Sequence, residues 1–256
     1  MEQRYYAEYR TVEERHWWFL GRRAILLRLL DRHFPVGEPS RRVLDIGCGT
    51  GAMLQQLERY GRAEGVDSDS EAVRFCRDRG IERVRRLEGD GLPWESATFD
   101  LVTALDVIEH IDDDVAMLRE IHRVLRPGGM LLLTVPAYEA LWGPHDEINH
   151  HKRRYRARQV RERVEGTGLR LVRLSYFNSL LFPPIAAVRL LRRRRATGEA
   201  KSDFALNPSG RGNALLAGIF GSEAGLVERW NLPFGVSILC LAQVTPRPSA
   251  PSGPSS

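Results

Sequence analysis

Short apolar runs alternate with amphipathic segments along most of this chain. Runs rich in leucine and β-branched residues predict strands, and apolar residues three or four positions apart predict helices. This alternation predicts an α/β protein with a parallel sheet covered by helices on both faces. The predicted strands are 42–46, 62–66, 83–88, 99–105, 129–135, 169–177 and 236–244, and the predicted helices are 11–34, 51–60, 70–79, 112–125, 157–167, 179–195 and 212–229.

The composition agrees with this picture and excludes several classes of protein. With 256 residues, 43% of them hydrophobic and 28% charged, the chain is long enough for one large domain with a full core. The three cysteines are far apart and fit neither a disulfide framework nor a metal knuckle. The N-terminus has no basic stretch followed by an apolar run, so we expect a cytoplasmic protein.

A basic block changes the picture of the second half. Residues 152–195 contain 14 lysines and arginines but only two acids, although the whole chain has a net charge of +5. Such a block is typical of contact with nucleic acid, an anionic membrane or an acidic substrate, but also of a solvated helix face. The apolar part of 179–195 is shorter than the ~20 residues of a membrane span. It could pack on the domain, or lie peripherally on the inner membrane face.

A glycine-rich turn follows the first predicted strand, where Asp45 precedes Gly47, Gly49 and Gly51. Glycines allow a positive φ and a close approach of a ligand to the backbone. The spacing Gly47-x-Gly49-x-x-Ala fits a dinucleotide site, with Asp67 near the ~20-residue offset of a ribose-binding acid. However, a carboxylate at Asp45 would repel a pyrophosphate and attract a ligand that carries an ammonium or a sulfonium.

Segment 43–51 resembles the first motif of class I S-adenosylmethionine-dependent methyltransferases. Segments 65–68, 88–93, 99–110 and 125–129 resemble later motifs of the same family in the same order. The resemblance covers roughly residues 40–178. It implies a Rossmann-like fold with a seven-stranded, mostly parallel sheet whose last strand is antiparallel, and S-adenosylmethionine as cofactor.

The resemblance also implies which residues hold this cofactor. Asp67 would accept hydrogen bonds from both ribose hydroxyls, Asp90 would accept one from the adenine amino group, and Asp45 would face the amino-acid end. The predicted cofactor-binding residues are Asp45, Gly47, Cys48, Gly49, Gly51, Asp67, Ser68, Asp90, Gly91, Leu92, Leu105 and Asp106.

The full length resembles a bacterial group within this family, through its His-Trp-Trp-Phe helix, its histidine-rich loop and its Leu-Pro-Phe-Gly strand. This implies an N-terminal helical lid and a helical insertion before the last strand. The implied division is a cap at 1–40, a cofactor-binding core at 41–178, an insertion at 179–235 that contributes to the substrate pocket, the last strand at 236–244, and a disordered tail at 245–256.

The loop after the fifth strand contains the candidate catalytic residues. A histidine titrates near neutrality and can take a proton from a hydroxyl or an amine as the methyl group transfers. His145 paired with Asp146 is the first candidate base, and His150 and His151 are the next. The same residues could instead pin the loop by internal hydrogen bonds. The predicted substrate-binding residues are Trp17, Trp18, Tyr138, Trp142, Arg154 and Tyr155.

Asp106-x-x-Glu109-His110 resembles a segment that holds a divalent metal in small-RNA and quinone-ring O-methyltransferases. Asp106 replaces the usual glutamate and the sequence identifies no certain downstream histidine, so we predict no metal.

The predicted function is methyl transfer to O or N of a small-molecule acceptor, either acidic or lipid-linked. The alternatives are a membrane-surface methyltransferase or accessory protein for a lipid-linked glycan, a nucleic-acid methyltransferase and an NAD-dependent oxidoreductase. Pro136-Ala137-Tyr138 replaces the usual base-methylation motif, which disfavours nucleic acid. Monomer and homodimer both remain open.

Overall fold

A computed structural model of the chain describes residues 12–89, 91–194 and 210–245. Seven strands form one sheet with the order β3-β2-β1-β4-β5-β7-β6. All neighbours are parallel except β7, which runs antiparallel to both β5 and β6. This arrangement confirms the predicted fold class. The strands are β1 Arg42–Ile46, β2 Arg62–Asp67, β3 Val84–Arg86, β4 Phe99–Leu105, β5 Leu125–Pro136, β6 Leu169–Phe177 and β7 Ser237–Val244.

The helices cover both faces of the sheet. They are α1 Trp17–His33, α2 Ala52–Leu57, α3 Ser70–Asp78, α4 Asp114–Val124, α5 Pro144–Ile148, α6 Ala157–Glu165, α7 Phe182–Arg194, α8 Arg211–Ser222 and α9 Ala224–Arg229. The short α5, inside the histidine-rich loop, was not predicted. The predicted helix 212–229 is two helices that meet at Glu223, and glycines at 218, 221 and 225 weaken helix formation there.

Alternate residues of each strand enter two separate cores. Val43 of β1 packs with α1, α2, α3, α8 and α9 on one face, whereas its neighbour Leu44 packs with α4 and α6 on the other. The N-terminal helix therefore buries its apolar side, including Ile25 and Leu29, in a main core of the domain. The result is a three-layer α/β/α structure.

All parallel strands end at one edge of the sheet, and β7 begins there. Ligands of open α/β sheets bind beyond this carboxyl edge. Among the described residues, no helix combines the length and the apolarity that crossing a bilayer requires. Asp90 and the predicted tail from 246 onward lie outside the described residues.

Candidate functional site

A cleft of about 1160 Å³ opens at the carboxyl edge of the sheet. Its floor comes from the ends of β1, β2, β4 and β5, and its walls come from α1, the loop after β5, α7 and α8. Six of the predicted cofactor-binding residues line it together. They are Gly47, Gly49, Asp67, Ser68, Leu105 and Asp106.

The glycine turn is shaped by its neighbours as well as by its own backbone. The backbone φ angles of Gly47, Gly49 and Gly51 are +66°, +53° and +85°. Residues other than glycine rarely adopt such positive values. A Cβ on Gly47 would lie 2.6 Å from a methyl of Val107. A Cβ on Gly51 would likewise lie 2.7 Å from Cδ1 of Ile81. Glycine is therefore required at both ends of the turn.

Asp67 connects β2 to this turn. Its carboxylate accepts hydrogen bonds from the Gly49 N–H at 2.9 Å and from the Asp69 N–H at 3.0 Å. Burial raises the pKa of Asp67 above its ordinary value. The carboxylate thus lies at the cleft wall, beside the helix end that begins at the glycine turn.

Several predicted cofactor residues do not reach the cleft. Asp45 is only 3% exposed, and its Oδ1 accepts a hydrogen bond from the Thr103 hydroxyl at 2.5 Å. Burial raises the pKa of Asp45 to about 7. Cys48 faces Cys76, with 3.9 Å between the two sulfur atoms. Gly51, Gly91 and the core residue Leu92 are also absent from the lining, and Asp90 lies outside the described residues.

Residues 12–18 cover the glycine turn. The half-buried Glu13 accepts a hydrogen bond from the Thr50 hydroxyl, and desolvation of its carboxylate raises its pKa. His16, Trp17 and Trp18 line the cleft, which fits the predicted lid. Burial lowers the pKa of His16 to about 4, so this ring is neutral near pH 7.

Arg22 is a cleft residue that was not predicted from the sequence. Its guanidinium lies 2.8 Å from Asp106 Oδ2 and donates to the Thr134 hydroxyl at 2.9 Å. It also lies over the Trp18 ring, 4.9 Å from the centroid. These contacts fix α1 against the ends of β4 and β5. The only sequence signal was the position of this arginine shortly after the aromatic run.

Asp146, which was predicted to pair with His145, has His151, Arg154 and Gly143 as partners in the structure. Its Oδ1 lies 2.8 Å from His151 Nδ1, and Arg154 donates to both of its oxygens at 2.8 and 2.9 Å. The Gly143 N–H also donates to it. Burial raises the pKa of Asp146, but these hydrogen bonds outweigh it and hold the pKa below its ordinary value. His145 instead lies 3.3 Å from the Asn149 amide.

The predicted substrate residues divide into two groups. Trp17, Trp18 and Arg154 line the cleft, although Arg154 is 5% exposed and is held by Asp146. Tyr138, Trp142 and Tyr155 are not part of the lining. The buried Tyr155 hydroxyl donates to Asp114 at 2.7 Å, and Tyr138 stacks on Tyr176 with 5.2 Å between ring centroids. These two aromatic rings therefore pack the loop against α4 and β6.

Glu109 is buried at the cleft, and neither carboxylate oxygen has a hydrogen-bond partner among the described residues. Burial and the nearby Asp106 raise its pKa well above the ordinary value. Glu109, His110 and His151 place ligand atoms within 4.8 Å of one another, so they could hold a divalent cation. His151 supplies the downstream histidine that the sequence did not identify. The absence of a metal thus stays a prediction.

Asn178, directly after β6, is a second cleft residue that the sequence did not predict. It has φ +57°, is fully buried, and has no hydrogen-bond partner for its side-chain amide among the described residues. A buried amide without a partner is costly, so it is a candidate contact for a ligand. No pattern in the sequence distinguishes it.

Residues 44–133 match the model of a protein family described as a methyltransferase domain. Among curated proteins, a ubiquinone biosynthesis O-methyltransferase of Xanthomonas oryzae pv. oryzae is 36% identical over 101 residues. That match covers 36% of this chain and 42% of the relative. The chain therefore spans less than half the length of this relative.

Solved structures share the fold at lower identity. A putative methyltransferase from Haloferax volcanii, in complex with the Trm112 methyltransferase activator, matches with a TM-score of 0.62 and 22% identity over 96% of both chains. The [4+2]-cyclase SpnF matches with a TM-score of 0.56 and 20% identity over 88% of this chain and 82% of its own. Since the fold includes a cyclase, the fold alone does not establish methyl transfer.

Proposed function

We propose that this chain, which carries a class I methyltransferase domain at its centre, transfers a methyl group from S-adenosylmethionine to O or N of a small-molecule acceptor. The observation that carries the proposal is the grouping of Gly47, Gly49 and Asp67 at one wall of the cleft. The name of the Xanthomonas relative, an O-methyltransferase, supports oxygen as the acceptor atom.

The donor would lie along this wall. Asp67 offers two acceptor oxygens to a ribose diol, in exchange for its present bonds to the backbone N–H groups of Gly49 and Asp69. His16, Trp17 and Trp18 would cover it from α1. The cleft of about 1160 Å³ exceeds the ~300–1,000 Å³ typical of one small ligand, so it has room for donor and acceptor together.

His151 is the base that the geometry favours. Asp146 lies beside its Nδ1 and thereby favours the tautomer in which Nε2 is free to accept a proton. The acceptor oxygen or nitrogen would attack the methyl carbon while the carbon–sulfur bond breaks. The electron pair of that bond goes to sulfur and forms S-adenosylhomocysteine, and the acceptor proton goes to His151. Positioning of the two reactants supplies much of the rate.

Calorimetric titration of the purified protein with S-adenosylhomocysteine tests the donor site. We expect binding, and we expect Asp67→Ala to weaken it by about 100-fold, because the ribose loses two hydrogen bonds to a charged group. Asp78→Ala is the matched control, since Asp78 is exposed at the end of α3 and does not line the cleft. Binding of NAD(H) in place of S-adenosylhomocysteine would refute the proposal and support the dinucleotide alternative.

A further inference from the structure

The outer side of α7 is apolar. Its exposed residues between 182 and 190 are Pro183, Pro184, Ala187, Val188 and Leu190, which recur at helical spacing on one face. Arg189, the charged residue in this part of the helix, turns inward and donates to the Leu141 carbonyl at 3.1 Å. A helix on the surface of a water-soluble domain normally has the opposite arrangement.

Helix α8, which lines the same cleft, also exposes apolar residues. Leu215 is 64% exposed, and Ala214 and Gly218 are exposed beside it. Both helices line the cleft, through Pro184 and Val188 of α7 and Leu216 of α8. Pro184 and Val188 are also exposed, so the mouth of the cleft and the apolar surface are continuous. We call these outer sides of α7 and α8 the α7–α8 face.

The charged residues of α7 and α8 themselves have one sign. Neither α7 nor α8 contains an acidic residue. The sequence of α7 ends in Arg192, Arg193 and Arg194, and α8 begins at the exposed Arg211. Apolar residues flanked by arginines are the composition of a helix that lies in the head-group region of an anionic bilayer.

We infer that the α7–α8 face docks on an anionic lipid surface. Val188, Leu190 and Leu215 would enter the boundary between head groups and acyl chains, and the basic composition of the two helices would favour an anionic bilayer. Docked in this way, the cleft would open toward the lipid. The inference does not depend on the methyl donor, because it rests on the surface of two helices and not on the glycine turn.

Co-sedimentation of the full chain with lipid vesicles tests this inference. We expect binding to vesicles of phosphatidylcholine mixed with phosphatidylglycerol, weaker binding in high salt, and little binding to phosphatidylcholine alone. Leu190→Glu and Leu215→Glu should each lower the partition coefficient about tenfold or more, since each removes apolar area and adds a repelled charge. Replacing Arg192, Arg193 and Arg194 together with glutamine should weaken binding to the anionic vesicles by a similar factor.

Val36→Glu is the matched control. Val36 is 47% exposed, compared with 46% for Leu190, but it lies between α1 and β1 at the opposite edge of the sheet. This variant should bind vesicles as the wild type does. Unchanged S-adenosylhomocysteine titration and melting temperature would show that the variants are folded, and would separate a failure of docking from a failure of the proposed donor site.

Three results would overturn the inference. The first is a wild-type protein that does not bind anionic vesicles. The second is an equal loss of binding in Leu190→Glu and Val36→Glu, which would mean that position on the surface does not matter. The third is a wild-type dimer, measured by light scattering, that Leu190→Glu converts to a monomer, because a second copy of the chain would then cover this face.

Discussion

At the scale of single residues, the loop after β5 is organised by Asp146. This buried carboxylate joins His151, Arg154 and the backbone of Gly143 in one network. A buried charge is stable only when it is paired and hydrogen-bonded, and Arg154 supplies that pairing. The network leaves His151 oriented at the cleft, whereas His145 lies beside Asn149.

The two histidines should therefore differ in their effect on turnover. We expect His151→Ala to lower the rate of S-adenosylhomocysteine release by about 100-fold or more, the usual contribution of a general base, with donor affinity unchanged. His145→Ala is the control and should lower it less than tenfold. The measurement is a coupled assay with a panel of phenols, catechols and amines, after donor binding has been checked by calorimetry. Equal losses in both variants would mean that His151 is not the base.

Asp45 should make stability depend on pH. The pKa of Asp45 is about 7 in the folded chain, whereas the ordinary pKa of an aspartate is 3.8. Between these two pH values the folded state therefore binds a proton that the unfolded state has lost. The free energy of unfolding should therefore fall as the pH rises from about 4 to 7, by up to about 1 kcal/mol per pH unit from this group.

Asp45→Asn should remove this contribution, because an amide does not titrate and can still accept the hydrogen bond from Thr103. Urea unfolding of both proteins across this pH range measures the difference, which should grow in favour of the variant as the pH rises. His16 and His110, with pKa values lowered to about 4, contribute the opposite slope in both proteins and cancel in the comparison. A difference that does not change with pH would show that Asp45 is not protonated in the folded chain.

At the scale of elements, α1 is part of the fold and of the site at once. It packs its apolar side into the core, and it contributes His16, Trp17, Trp18 and Arg22 to the cleft. The close contact of α1 with α8 depends on Gly21, because a Cβ at this position would lie 2.5 Å from the Phe220 ring. The position of these cleft residues is thus tied to the packing of two helices that are far apart in sequence.

Two glycine substitutions should have opposite effects on stability. Gly21→Ala should lower the free energy of unfolding by about 1–3 kcal/mol, because it overpacks the buried α1–α8 contact. Gly218→Ala, within α8, should raise it by about 0.5–1 kcal/mol, since nothing lies within 4 Å of the added Cβ and alanine favours the helix. Urea or thermal unfolding measures both. A stable Gly21→Ala protein would mean that α1 and α8 can separate without cost.

At the scale of the whole molecule, the sheet brings segments from the entire chain to one edge. Gly47, Asp67, Asp106, Pro136 and Asn178 follow or end different strands, yet all line one cleft. The α7–α8 face lies at the mouth of that cleft, and the lipid docking inferred above belongs to this scale.

The family resemblance implied the seven-stranded sheet with its antiparallel last strand. The sequence pattern by itself determined the glycine turn and the order of the strands and helices, except for the short α5. These follow from apolar periodicity and from glycines at required positions, which are local properties of the chain. The motif segments predicted a methyltransferase domain, and the match of residues 44–133 to a methyltransferase-domain family confirms this prediction. The cleft position of Asp67 could be predicted for the same reason, because a residue at the carboxyl end of a parallel strand must lie at the ligand edge.

Only the tertiary structure decided which side chains meet. Asp146 pairs with His151, and Asp106 pairs with Arg22. The Tyr155 hydroxyl donates to the buried Asp114. Asp45 bonds to Thr103 on the neighbouring strand instead of lining the cleft. Such partners depend on how distant segments pack, and adjacency in sequence carries little information about it. For the same physical reason, the sequence left open which side of α7 faces the solvent until its packing was known.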